Sequence, residues 1–172
     1  MLFALALAGE VLLAAGGAQL DVPLFRQEKK GCGPASTAMV AHYWANRRPG
    51  LVVRIEPPQA VYQRLYPTEA SGVRLSDMRE YLREKGFHAF TLKASWEDIE
   101  AHVSKQRPVI ACLKKGAGSP LHYVVVIGFE AERVWINDPA KRRKKALKRS
   151  TFERRRATAD NWVLLAVPSK KI

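Results

Sequence analysis

Apolar and small residues recur at helical spacing from Pro34 to about Asn46, with Ala35, Ala38, Met39 and His42 on one face, and the pattern predicts a helix there. Pro34 fits its first turn, where a missing N–H costs nothing. Just upstream, "LDVPLF" reads as a short extended lead-in in which Pro23 blocks a helix. Residues 47 to 72 carry four prolines and two glycines and predict irregular chain with a short helix at "QAVYQRLY". Leu75, Met78 and Leu82 share one face of a second amphipathic segment that stops at Gly86. "FHAFTL" then reads as a strand. Ser95 with Asp98 forms a capping box ahead of Trp96, Ile99 and Val103, which predicts another helix. The remainder is strand-like: "PVIACLK", "HYVVVIGFE", "RVWIND" and "WVLLAVP", with turn residues at 116–120. Helices first and neighbouring strands afterwards predict an α+β domain with an antiparallel sheet rather than a βαβ repeat.

Composition narrows the picture. At 172 residues, 47% hydrophobic and 26% charged, the chain has room for one domain with a real core. The first stretch, "MLFALALAGEVLLAAGGAQL", reads as a secretory signal with cleavage near Gly16-Gly17-Ala18, so residues 1–18 are set apart from a single domain over 19–172. No basic residue precedes the apolar run and Glu10 interrupts it, which leaves a buried N-terminal helix or a displaced start as alternatives. The stretch falls short of a clean membrane span of about 20 residues. An exported, periplasmic or extracellular protein without a membrane span in its mature form is expected.

The formal charge is +13, and ten basic residues lie in "KRRKKALKRSTFERRR", residues 141–156. Such a run reads either as a solvated loop and helix face or as an anion-binding patch. No zinc-ligand spacing or aromatic RNA-reading motif accompanies it, so no nucleic-acid partner is expected.

The candidate chemistry begins at "QEKKGCGPAS". Cys32 stands between two glycines where a helix starts, and a helix N-terminus lowers a thiol pKa toward the reactive thiolate. Gly31 and Gly33 are expected to leave room for a substrate backbone, and the Cys32 N–H becomes a donor to an oxyanion. Gln27 can supply a second donor. A nucleophile of this kind needs a base. His42, His88 and His102 fall on helix faces or a strand start and read as structural or solvated. His122 opens the most apolar strand, at the lip of the core, after the "KGAGSP" loop. Asp138 ends the next strand, and a hairpin turning near residues 130–132 returns it to within a few positions of His122, where it can orient the imidazole. Asn137 is the fallback for that role. The rival readings are a loop residue for Gln27, a plain strand start for His122 and a turn cap for Asp138. Cys112, inside an apolar strand, reads as a small buried hydrophobe or, in an oxidising compartment, as a disulfide partner for Cys32.

These segments together resemble the C39-like peptidases, a branch of the papain-like cysteine peptidases. The resemblance is carried by "VPLFRQEKKGCGPAS", "GVRLSDMREYLREKGFHAF", "WEDIEAHVSKQRPVIACL", "HYVVVIGFEAERVWINDPA" and "STFERRRATADNWVLLAVP". It implies an α+β, papain-like fold, N-terminal helices with the cysteine at a helix N-terminus packed on a C-terminal antiparallel sheet carrying His and Asp. It also implies Cys32 as nucleophile, His122 as general base and acid, Asp138 as orienting carboxylate and Gln27 as oxyanion donor. No metal or organic cofactor is expected, the partner is a peptide or protein substrate, and the chain is expected to act as a monomer. The other readings are an inactive peptide-binding module of the same fold, an amide hydrolase or acyltransferase on a non-peptide substrate, and a basic scaffold for an anionic polymer.

Overall fold

A computed structural model describes residues 19–48, 55–66 and 72–169. The apolar N-terminal stretch and its expected cleavage point lie outside the described residues, as does part of the proline-rich segment after residue 47. Three helices come first, α1 (Cys32–Arg47), α2 (Pro58–Leu65) and α3 (Leu75–Glu84). Then follow β1 (Phe87–Lys93), α4 (Trp96–Ser104), β2 (Val109–Leu113), β3 (His122–Glu130), β4 (Arg133–Asn137), β5 (Lys145–Lys148), α5 (Arg149–Ala157) and β6 (Trp162–Pro168). The six strands form one sheet in the order β1-β6-β2-β3-β4-β5, antiparallel at every pairing. This is the α+β arrangement the residue pattern predicts.

β2 is buried at all five positions, as a central strand covered on both faces must be. Helices α1 and α3 pack on one side of the sheet, α4 and α5 on the other, where Trp96 meets Phe129 and Phe152 edge-on. α1 is buried along nearly its whole length, and Ala35, Ser36, Thr37 and Ala38 keep its first turns small enough to approach the strands closely. Trp44 anchors its far end by donating Nε1–H to the Ala166 carbonyl at 3.0 Å. The capping box predicted for α4 is present, Ser95 Oγ accepting from the Asp98 backbone N–H and the Asp98 carboxylate accepting from the Ser95 N–H. Among the described residues no helix is long and apolar enough to cross a membrane.

Two readings need correction. The basic run is not simply a solvated loop and helix face: Lys145–Lys148 forms the edge strand β5, and α5 buries Phe152 and Arg156. Nor do Gly31 and Gly33 open a path for substrate. A Cβ on Gly31 would stand 2.8 Å from the Tyr62 ring, and one on Gly33 would stand 3.1 Å from Met78 Sδ and 3.2 Å from Val73 Cβ. Their smallness lets α2 and the start of α3 close on the base of α1. Val73 Cβ sits next to its own backbone and cannot swing away, so Gly33→Ala overpacks the contact. It should cost about 1–3 kcal/mol in a urea unfolding experiment. An unchanged midpoint would mean that the α1–α3 contact is looser than this.

Candidate functional site

Cys32 is the first residue of α1. Lys30 turns the chain into the helix with a left-handed φ of 56°, and the Gly31 N–H closes the turn onto the Glu28 carbonyl. No side chain caps the helix, and Pro34 has no N–H to offer. The Gly33 N–H is directed at the Cys32 sulfur, and the Cys32 N–H takes no backbone partner among the described residues. An uncapped N-terminus of this kind presents donors and a positive dipole end to whatever occupies the space above Cys32.

Four of the residues singled out from the sequence converge there. His122 Nε2 and Asp138 Oδ1 are 2.7 Å apart. The His122 ring stands close enough to the Cys32 thiol for each to shift the other, and with Nε2 engaged by Asp138, Nδ1 is the ring nitrogen left for sulfur. Gln27 lines the same cleft, and its side-chain Oε1 is buried without a partner among the described residues. The Gln27 N–H donates to the Pro139 carbonyl at 2.9 Å, which ties the lead-in segment to the chain just past Asp138. Asn137 does not compete for the imidazole. Its Nδ2 donates to the Val22 carbonyl at 2.8 Å, so it braces the lead-in segment from within the core.

The pairing of His122 with Asp138 depends on a β-bulge. From the turn, Glu130 pairs with Arg133, Phe129 with Val134 and Gly128 with Trp135; then the register slips, and Val126 pairs with Ile136 and Val125 with Asn137. The extra residue, Ile127, brings position 138 opposite Val124 instead of Val125. Side chains alternate along a strand, so position 138 falls on the face of Val124 and His122, one diagonal step away. Without the bulge it would share a face with Tyr123. Asp138 Oδ1 also accepts from the Ala140 N–H at 3.0 Å, so the carboxylate caps its own turn while holding the ring.

The charges follow from these contacts. Burial raises the Cys32 thiol, but the His122 hydrogen bond, the backbone N–H groups of Tyr123 and Gly33 and the imidazolium charge outweigh it, and the net direction is down. Burial lowers His122, but hydrogen bonds and charge from Asp138 and Cys32 push it up to about 9. For Asp138, burial acts upward and is overcome by its hydrogen bond to His122, so the carboxyl is held below its ordinary value. These shifts all run in the direction of a thiolate–imidazolium–carboxylate row. For Cys112, burial and the charge of Cys32 outweigh the downward pull of Arg156 and push the thiol up to about 12, and it is free, as is Cys32. The other histidines stand apart. His42 binds the Glu56 carbonyl at 3.0 Å and packs edge-on to Phe25, His88 is exposed, and His102 is half-buried on α4. Among the described residues no group of three or more His, Cys, Asp or Glu side chains is arranged to hold a metal ion.

A helix carrying Cys32 against an antiparallel sheet carrying His122 and Asp138 defines the papain-like fold of C39 peptidase domains. The sequence model of the Peptidase_C39 like family matches residues 19–166, and the chain belongs to that family. Among solved structures it is similar to a protein of Bacillus anthracis described as a C39-like peptidase, with TM-score 0.71 and 17% identity over 90% of this chain and 99% of that one. It is also similar to the double glycine motif protease of an AMS/PCAT transporter, solved with a leader peptide, with TM-score 0.67 and 22% identity over 88% and 94%. The peptidase domain of Streptococcus ComA, a bifunctional ABC transporter of a quorum-sensing pathway, gives TM-score 0.66 and 20% identity over 85% and 98%. At these identities the likeness is one of fold. None of the curated proteins matches the chain.

Proposed function

We propose that the chain is a cysteine peptidase in which Cys32, His122, Asp138 and Gln27 act together on a peptide bond. The reading rests above all on one observation: Asp138 engages His122 Nε2 at 2.7 Å, in the cleft that His122 shares with Cys32 at a helix N-terminus. In this mechanism the Cys32 thiolate adds to the carbonyl carbon, and the carbonyl π electrons move onto oxygen. That oxyanion receives hydrogen bonds from the Cys32 N–H and the Gln27 amide. Gln27 lines the same cleft as Cys32 and His122, which is what fits its side-chain N–H for this task. As the tetrahedral intermediate collapses, His122 Nδ1–H gives its proton to the departing amine and the C–N bond breaks, leaving a thioester. Neutral His122 then takes a proton from water as the water oxygen attacks the thioester carbonyl, and Cys32 leaves as thiolate. Asp138 keeps the Nε2–H directed away from sulfur, so that Nδ1 faces the reaction throughout.

The test is the rate of iodoacetamide alkylation of Cys32 against pH, in a Cys112→Ala background. The midpoint is expected below the ordinary thiol value of about 8.5. With His122→Ala the imidazolium is lost while burial remains, so the midpoint should rise to or above that value. Ordinary titration of Cys32 in both proteins would leave a peptide-binding module without turnover as the better reading.

A further inference from the structure

The cleft that holds Cys32 and His122 has a volume of about 1130 Å³, and its charges are almost all of one sign. Lys30 and Lys141 flank Gln27 and Asp138 along its wall, and Lys114, Lys115, Lys145 and Arg155 line the part formed by the end of β2, by β5 and by α5. Among the described residues Asp138 is the single acidic residue lining it, and His122 already engages that carboxylate. Arg74 also lines the cleft but is paired with Asp77 at 3.3 Å. Among the described residues, Lys114, Lys115, Lys145 and Arg155 make no ion pair.

The arrangement is built in by the backbone. The Lys114 N–H donates to the Arg155 carbonyl at 3.0 Å, which fixes the end of β2 against α5 and brings two half-buried cationic residues together. Like charges held together without a counter-ion repel, and in a cleft with low-dielectric walls that field is focused rather than screened. A bound anion relieves the repulsion. Apolar side chains accompany the charge: Leu121 and Trp162, each 38% exposed, stand in the same cleft with Leu113 and Leu147. A surface that alternates cationic heads with apolar patches suits an extended peptide with carboxylate and apolar side chains. It lacks the row of exposed aromatics on which nucleic-acid bases stack.

We propose that this peptidase selects acidic peptides, with Lys114, Lys115, Lys145 and Arg155 forming a subsite for Asp or Glu side chains beside the scissile bond. The inference rests on the peptidase reading for its position relative to the chemistry, and not for the binding itself. The test uses the Cys32→Ala protein, which cannot turn over, and fluorescein-labelled octapeptides differing only in whether three positions are Glu, Gln or Lys. By fluorescence anisotropy at pH 7 and 50 mM salt, the Glu peptide should bind at least about tenfold more tightly than the Gln peptide. The gap should narrow at 200 mM salt. Lys114→Glu with Lys115→Glu should remove the preference. Arg47→Glu with Arg48→Glu carries the same change of charge at the other end of α1, about 24 Å from Cys32 for a 16-residue helix, and should leave the preference within about twofold. Equal binding of the Glu and Gln peptides overturns the proposal, and so does equal loss in both charge-reversed proteins, which would make the effect one of net charge. Displacement of the Glu peptide by a twelve-nucleotide oligo-dT that binds more tightly also overturns it, in favour of an anionic polymer. Selective binding together with an ordinary Cys32 titration would sink the peptidase reading and leave the acidic subsite standing.

Discussion

Cys32→Ala and His122→Ala should each lower kcat/KM for a quenched fluorescent peptide by about 10⁴–10⁶-fold, and the double variant should fall no further. The reason is that the two side chains form one reacting unit. The thiol is drawn down toward the thiolate because the imidazolium stands beside it, and the imidazolium persists up to about 9 because thiolate and carboxylate stand beside it. Once sulfur is gone, the proton on His122 has no acyl-enzyme to serve. Once the imidazole is gone, burial drives the thiol back to its protonated form and no acid remains for the leaving amine. Asp138→Asn should cost less, about 10²–10⁴-fold, because an amide oxygen can still accept from Nε2–H but brings no charge to stabilise the imidazolium. Far-ultraviolet circular dichroism and urea midpoints serve as the control for folding. Losses that multiply in the double variant would show two independent contributions, and the coupling of Cys32 to His122 inferred from their opposed shifts would be wrong.

The pH dependence carries a sign. Cys32 is shifted down, so activity is lost on the acid side when the thiolate takes a proton; His122 is shifted up to about 9, so activity is lost on the alkaline side when the imidazolium gives one away. Both limbs belong to the pair rather than to either residue.

Three of the four candidate site residues were legible in the sequence because each sits at an element boundary that periodicity marks clearly, and Gln27 only by its spacing from Cys32. Cys32 precedes a helix opened by proline, His122 opens an apolar strand, and Asp138 closes the next. The side of the sheet on which Asp138 lands was not legible. Counting back from the turn assumes one residue opposite one, and by that count position 138 faces Val125; the bulge at Ile127 shifts it to Val124 and reverses its face. Nothing in "VVVIGFE" marks a bulge except Gly128, which sits where the register slips. The choice between Asn137 and Asp138 is settled by the same alternation, since Asn137 turns into the core toward Val22. The two glycines around Cys32 were misread because a glycine next to a nucleophile suits an approaching ligand and an approaching side chain equally well. Only the positions of Tyr62, Val73 and Met78 tell them apart.

The basic run hid its structure for a different reason. Leu147 and Phe152 are its only large apolar residues, too few to reveal a period, and Arg156 is buried against type at 2% exposure. Its Nη2 donates to the Ala94 carbonyl, its guanidinium lies 5.6 Å from the Phe152 ring centroid, and its Nε has no partner among the described residues. Among the described residues no carboxylate pairs with it; burial draws its pKa down, and Glu153, Cys112 and Asp98 offset that only through space. A buried cation without an ion-pair partner contributes packing and one hydrogen bond while bearing a desolvation cost. The two contributions can be separated by substitution. Arg156→Ala removes most of the side-chain volume beneath α5 and should destabilise the protein by about 2–4 kcal/mol, read from urea unfolding at pH 7. Arg156→Met keeps much of that volume and removes the charge, leaving the Ala94 carbonyl one donor short, a loss of about 1 kcal/mol that the relieved desolvation opposes. Its cost should therefore be under about 1.5 kcal/mol, well below that of alanine. If methionine costs as much as alanine, the bond to Ala94 rather than the bulk of the side chain holds α5 on the sheet, and the wall of the cleft that carries Arg155 is then pinned by its buried neighbour.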